Sequence, residues 1–314
     1  MNSLYSLLAI PPILRCRLFV TCVAMLEMNT SLHAGWNIHV VDTPVGDYQD
    51  TSIALNGANL PSVSYRAVNE GLKFATFNGT SWATSTVDAA GARYTSLALD
   101  GLGRAHISYQ QSGALRYAAY DGSSWNLSTV DSSSGGYTSI ALDSLGHAHI
   151  SYRSNGALKY AYYDGSSWNM SIVDSLANVG TWTSLALDNL GHAHISYYDL
   201  TNQDLKYAAF NGSSWALTTV DSTGDVGEGS SLRLDSAGHA RIGYLDDMNN
   251  DLKYAAFDGV SWSVSVIDPA AGSIAGTKGN VDLALDSADR PRIAYHAGWG
   301  HGNGLHYASF DGAA

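Results

Sequence analysis

Residues 125–168 read WNLSTVDSSSGGYTSIALDSLGHAHISYRSNGALKYAYYDGSSW. A tryptophan opens a short run that ends in Val-Asp. The alternating segment T-S-I-A-L-D follows, then a turn, then H-I-S-Y, a second turn, L-K-Y-A, and an Asp-Gly turn that leads to the next tryptophan. Alternation with a period of two over short segments bounded by Gly, Asn, Asp and Ser predicts half-buried strands. The whole passage therefore predicts four strands joined by tight turns.

The same pattern recurs outward in both directions. Its opening tryptophans are Trp36, Trp82, Trp125, Trp168, Trp215 and Trp262, spaced by 46, 43, 43, 47 and 47 residues. A unit of this length cannot bury its own apolar faces and must stack on copies of itself. The expected fold is all-β: a six-bladed β-propeller with four antiparallel strands per blade. Along the inner strands, Leu97/Leu99, Ile140/Leu142 and Leu185/Leu187 alternate with small residues such as Ser96/Ala98 and Ser139/Ala141, so large residues of one blade can nest on the small face of the next. Asp121-Gly122, Asp164-Gly165 and Asp258-Gly259, with Asn78-Gly79 and Asn211-Gly212, are two-residue hairpin signals linking third and fourth strands. The repeat begins with an orphan outer strand, Trp36–Asp42, and ends at Phe310-Asp311-Gly312 where an outer strand is missing. Adding the first strand to the last blade is expected to close the ring and hide its open edges.

Residues 1–34 lie outside the repeat. Arg15 and Arg17 precede the apolar run 18–26, and His33-Ala34 follows, an arrangement expected of a signal peptide or disordered leader with cleavage after Ala34. The remainder, 35–314, is expected to be one propeller domain, secreted or extracytoplasmic. Both cysteines, Cys16 and Cys22, fall in the leader, which leaves the propeller without a disulfide framework or a thiolate metal site. The formal net charge of -12, with no cluster of Lys or Arg, argues against nucleic acid. No apolar stretch reaches the roughly 18 residues of a spanning helix.

The inner strand, Asp-Ser-x-Gly turn and second strand, as in Leu142-Asp143-Ser144-Leu145-Gly146, resemble NHL-type and other secreted propeller repeats. The Asp-Gly-x-x-Trp turn, as in Asp121-Gly122-Ser123-Ser124-Trp125, is similar to that of fucose-binding propeller lectins and, more loosely, to the Asp-box of sialidases. The resemblance covers residues 36–312 at the level of architecture and implies a propeller. The sialidase box has one more residue between Asp and Trp, and no arginine triad accompanies the turns here. The lectin site implies an Arg and a Glu between blades, whereas Glu is nearly absent from these repeats.

Residues repeated in every unit have a structural explanation. The six tryptophans suit plugs between outer strands. The aspartates that end the outer strands, Asp42, Asp88, Asp131, Asp174, Asp221 and Asp268, suit turns. The series Lys73, Arg116, Lys159, Lys206, Lys253 and His306 suits a solvated ring whose stems cover neighbouring tyrosines. The pairs His147/His149 and His192/His194 read as hydrogen-bonded structural residues, with no metal assigned.

Function is expected where the repeat stops repeating. Loops entering the inner strands and leaving the second strands open on one face of the propeller. Tyr94, Tyr137 and Trp182 enter three consecutive inner strands, while Arg66, Gln110, Arg153, Tyr198, Leu245 and His296 leave the second strands. The candidate binding residues are Tyr94, Tyr137, Trp182, Arg66, Arg153, Tyr198 and His296. Aromatics beside Arg and Gln suit a sugar, whose apolar face stacks while its hydroxyls take hydrogen bonds. The expected function is a binding module for a carbohydrate or cell-surface protein. The alternatives are a glycan-active hydrolase or lyase with one asymmetric site near blades five and six, where His296, Trp299, His301 and His306 cluster, and a non-catalytic interaction platform. No catalytic residue and no cofactor is assigned, although the loop 221–228 offers oxygen ligands of the kind calcium takes. Arg233 and Asp282 replace small residues on adjacent inner strands and are expected to form a buried pair.

Overall fold

The computed structural model describes residues 39–43, 48–269, 281–297 and 304–312. Blade one consists of strands Tyr48–Leu55, Pro61–Ala67, Gly71–Phe77 and Trp82–Asp88, antiparallel and in sequential order. Blades two to five repeat this arrangement over residues 93–131, 136–174, 179–221 and 226–268. Blade six has three strands among the described residues, Val281–Leu285, Pro291–Ala297 and Gly304–Ser309. The molecule is a six-bladed β-propeller, as its repeats predict.

The chain divides into two units, residues 1–43 and 44–314, and all six sheets belong to the second. The leader and the boundary after Ala34 lie outside the described residues. So does the start of the closing strand, Trp36 to Ile38, while residues 39–43 carry no strand. Ile53 and Leu55 of blade one are 61% and 58% exposed, and Leu305 and Tyr307 of blade six are 83% and 65% exposed. Their counterparts at the interface of blades one and two, Leu97, Leu72 and Phe74, are buried.

Three repeated devices join neighbouring blades. The first is apolar nesting: Leu72, Phe74 and Val87 of blade one pack with Leu97, Ile107 and Tyr109 of blade two, and small Ala54 lies against the same cluster. The tryptophans that open the outer strands of blades two to five then cap the seam edge-on, Trp125 on Phe74 at 5.4 Å and Trp215 on Tyr160 at 5.2 Å. The second device uses the small residues of the inner strands. Ser52, Ser96, Ser139, Ser184 and Ser231 each accept a hydrogen bond at 3.0–3.2 Å from the amide of the next blade's inner-strand leucine or isoleucine.

The third device corrects the reading of the basic series as a solvated ring. Tyr197 and Lys206 of blade four donate to Asp174 Oδ2 of blade three at 2.8 and 2.6 Å, and Tyr152 with Lys159, and Tyr244 with Lys253, hold Asp131 and Asp221 in the same way. Lys253 is 6% exposed. The aspartates also serve their turns through Oδ1, which in Asp131 accepts the Ser133 amide at 2.8 Å. Burial pushes the Asp131 carboxyl up, but Ser133, Lys159 and Tyr152 override it and hold the group at about 2.

The histidines of the second strands are hydrogen-bonded structural residues. His106 Nδ1 meets the Tyr117 hydroxyl at 2.5 Å, and His149–Tyr160 and His194–Tyr207 repeat the contact. The other ring nitrogens face Asp100, Asp143 and Asp188 at 3.7–3.8 Å.

Candidate functional site

The inner strands surround a central channel of about 930 Å³, lined by hydroxyls such as Ser52, Thr95, Ser139, Thr183 and Ser230. Arg233 and Asp282, on adjacent inner strands that line this channel, meet at 3.2 Å, but their side chains are 44% and 71% exposed. The expected burial is therefore wrong. Both replace small channel-facing residues, so the pair projects into open space instead of into the seam.

At one end of the channel the inner strands of blades one to five each carry a bulge. Register shifts fall between Arg93 and Ser96, Thr181 and Ser184, and Glu228 and Ser231, with equivalents in blades one and three. The bulged residue adopts a left-handed backbone: Asp50, Tyr94, Tyr137, Trp182 and Gly229 have φ of 52°, 54°, 52°, 48° and 63°. Glycine tolerates this conformation, whereas a bulky aromatic is strained by roughly 1–3 kcal/mol. Three consecutive blades accept that strain. The bulge re-aims the side chain from the blade face to the channel mouth.

The result is a continuous aromatic run. Tyr94 stacks on Tyr137 with centroids 4.5 Å apart, Tyr137 meets Trp182 at 5.1 Å, and Trp182 meets Tyr198 edge-on at 5.7 Å. The first three are half-buried, so part of each ring faces solvent, while Tyr198 is buried. Blade five ends the run, because Gly229 stands where Trp182 stands in blade four.

Strand pairing brings the second set of candidates to the same end. Gln49 pairs with Arg66, Arg93 with Gln110, Gly136 with Arg153, and Thr181 with Tyr198. Arg153 Nη2 donates to Asn178 Oδ1 at 2.6 Å, while its Nε is buried without a hydrogen-bond partner. His296 lies on the second strand of blade six, paired with Leu305 and separate from the aromatic run. His306 packs on Tyr295 at 5.6 Å, and Trp299 and His301 lie outside the described residues.

Two polar residues at the mouth, Arg93 and Thr181, escaped sequence reasoning, while Asp225 and Glu228 entered it only as members of the loop 221–228 that offers oxygen ligands. Tyr198 donates to Asp225 Oδ1 at 2.6 Å and Gln203 Nε2 donates to its Oδ2 at 2.8 Å. Glu228 is 4% exposed and lies within electrostatic reach of Tyr137 and Tyr198. Burial first, then Tyr94 and Glu228, pushes the Tyr137 hydroxyl up to about 12 against the opposing pull of Arg153. The Thr181 hydroxyl, on a residue 4% exposed, has no hydrogen-bond partner. The rarity of glutamate was the available signal, since Glu27, Glu70 and Glu228 are the only three in the sequence. In the loop 221–228 the carboxylates of Asp221 and Asp225 face protein donors, and no group of three metal-ligating side chains occurs among the described residues.

No family model matches the chain, and no curated protein matches it. Solved structures do. AofleA from Arthrobotrys oligospora aligns with a TM-score of 0.59 at 14% identity, over 85% of this chain and 86% of its own. The lectin of Aleuria aurantia, a fungal lectin with a six-bladed β-propeller fold and a novel mode of fucose recognition, aligns with a TM-score of 0.52 at 14% identity, over 82% and 94%. An ulvan lyase of a polysaccharide lyase family, bound to a glucuronate–sulfated rhamnose unit, aligns with a TM-score of 0.59 at 14% identity, over 81% and 78%. At these identities the likeness is one of fold.

Proposed function

We propose that this protein is a carbohydrate-binding propeller, secreted or extracytoplasmic, that receives a glycan at the channel mouth. The observation that carries the reading is the aromatic run Tyr94, Tyr137 and Trp182, three strained and partly exposed rings in register on consecutive blades. A sugar ring stacks its C–H face on such a platform, and the Gln110 amide and the Arg153 guanidinium beside it supply donors to hydroxyls. A propeller neighbour that recognises fucose supports the reading at the level of fold. The ligand is a free glycan or the glycan of a cell-surface protein.

The test is a glycan array with the full chain. Trp182→Ala and Tyr137→Ala abolish the hits while the melting temperature stays within a few degrees. Loss of folding in either variant returns the rings to a packing role and refutes the reading.

A glycan-active reading draws support from Glu228, a buried carboxylate beside two tyrosine hydroxyls at the same mouth. On this reading the chemistry lies at the mouth between blades four and five. New reducing ends or unsaturated products from bound glycans, lost in Glu228→Gln with binding retained, are the result this reading requires.

A further inference from the structure

Tyr162 breaks the repeat far from the mouth. It pairs with His149, whereas the matching pairs in blades two, four and five are His106 with Ala119, His194 with Ala209 and Arg241 with Ala256. Tyr162 is 39% exposed and lies at the end of its blade remote from Arg153 and the channel mouth. There it borders a cavity of about 450 Å³ lined by residues of blades three and four. Tyr160 and Tyr162 of blade three lie 6.2 Å apart at 28°, and Trp215 of blade four meets Tyr160 at 5.2 Å and 74°. Phe210 meets Trp215 at 5.2 Å and 46°, and His192 meets Phe210 at 6.3 Å and 78°. The ring planes thus turn from one neighbour to the next around the cavity, unlike the flat stack of Tyr94 on Tyr137 at 27°. Among the described residues no Lys or Arg lines this cavity. Three aspartates back its polar side chains instead: Asp143 Oδ2 stands 3.7 Å from His149 Nε2, Asp188 Oδ2 stands 3.2 Å from His192 Nδ1, and Asp164 Oδ2 accepts from Asn169 Nδ2 at 2.8 Å. Burial pushes the His149 imidazole below its ordinary value against the pull of Asp143, so it adds no positive charge at neutral pH.

From this arrangement we infer that the seam between blades three and four holds a second binding site, one for a small organic cation bearing a quaternary ammonium group. The face of an aromatic ring carries the negative lobe of its quadrupole, so rings set at several angles around one cavity attract a compact cation whose charge is spread over methyl groups. Such a group has no N–H to satisfy, and an aromatic wall takes it without leaving a donor unpaired. The three aspartates behind the wall favour the same sign and disfavour an anion. Tyr162 supplies the ring that alanine withholds from the neighbouring seams. The site is independent of the glycan reading, because it shares no residue with the channel mouth.

The test titrates the full chain with choline, with tetramethylammonium and with dimethylbutanol, in which carbon replaces the nitrogen of choline, by calorimetry and tryptophan fluorescence at constant ionic strength. Choline binds about tenfold more tightly than its uncharged isostere. Tyr162→Ala installs the residue of blades two, four and five, so the melting temperature stays within a few degrees while choline binding weakens about tenfold. Tyr162→Phe retains the affinity, because the ring and not the hydroxyl faces the cation. Tyr162→Leu keeps apolar bulk without a ring: dimethylbutanol binding survives and the preference for choline is lost, a comparison that decides the matter even if the alanine variant fails to fold. Equal binding of choline and dimethylbutanol to the parent overturns the cation site. So does an undiminished preference for choline in Tyr162→Leu, or a folded chain that binds neither choline nor tetramethylammonium.

Discussion

Removing the Asp174 carboxylate tests what holds adjacent blades together. Asp174 is 2% exposed and receives three donors: the Tyr197 hydroxyl at 2.8 Å, Lys206 Nζ at 2.6 Å and the Leu176 amide at 3.1 Å. Burial alone would raise its pKa, but these donors, Lys206 foremost, hold it below the ordinary carboxylate range. Asp174→Ala leaves a cation whose side chain is 13% exposed and a fully buried phenol without their acceptor. Breaking a buried pair in this way costs about 3–5 kcal/mol. Asp199 lies 4.0 Å from Lys206 Nζ and takes up part of the loss, which places the expected value near the lower bound. Tyr197→Phe removes only one hydrogen bond to a charged acceptor and costs about 1.5–3 kcal/mol. Urea denaturation of the single variants and of Asp174→Ala/Lys206→Met measures both, and the double variant recovers part of the loss because the stranded cation is gone. If Asp174→Ala lies within about 1 kcal/mol of the parent, or the double variant is as damaged as the sum of its parts, the clamp does not hold the seam.

Acid sensitivity follows from the same devices. The Asp131 carboxyl sits at about 2 in the folded protein, below its unfolded value of roughly 3.9, so its stabilisation is full above that value and is lost as pH falls toward 2; Lys159→Met moves the acid midpoint upward in a pH-jump denaturation series. The exposed pair Arg233–Asp282 contributes little, and Asp282→Ala shifts the urea midpoint by less than about 1 kcal/mol equivalent. Gly180 has φ of 91°, and a Cβ there would stand 2.9 Å from the Leu158 backbone, so Gly180→Ala costs more than about 1 kcal/mol and lowers the melting temperature. Closure of the ring by the first repeat's outer strand remains a proposal from the sequence: if residues 36–42 complete blade six, deleting them causes aggregation on gel filtration, and a soluble monomeric product contradicts closure by that segment.

The framework was legible because a repeat multiplies its own signal. One Trp-to-Trp passage establishes four strands, and six copies establish a ring, so errors of a residue or two at strand ends do not alter the topology. The clamps were visible only in part. Lys206 and Asp174 are separated by 32 residues and lie on different blades, so their pairing depends on how sheets stack, which no periodicity encodes. Without that partner, a lysine on a strand reads as solvated. Arg233 and Asp282 failed in the opposite sense: their pairing was legible from opposite charge at matched positions, but their exposure depends on which face of the inner strand looks into the channel.

The mouth yielded its aromatics and hid its acids for a related reason. Tyr94, Tyr137 and Trp182 stand out because three copies of one position depart from the repeat together. Glu228 departs alone, inside a loop whose other carboxylates made it look like part of a turn. Yet the strand pairing that sets Arg93 against Gln110 and Thr181 against Tyr198 also sets Glu228 against Leu245, at the same end of its own blade. A repeat protein thus carries unequal residues at equivalent positions. The framework must be superposed on itself, blade on blade, before a lone glutamate and a lone arginine are seen to stand at the same place in their repeats.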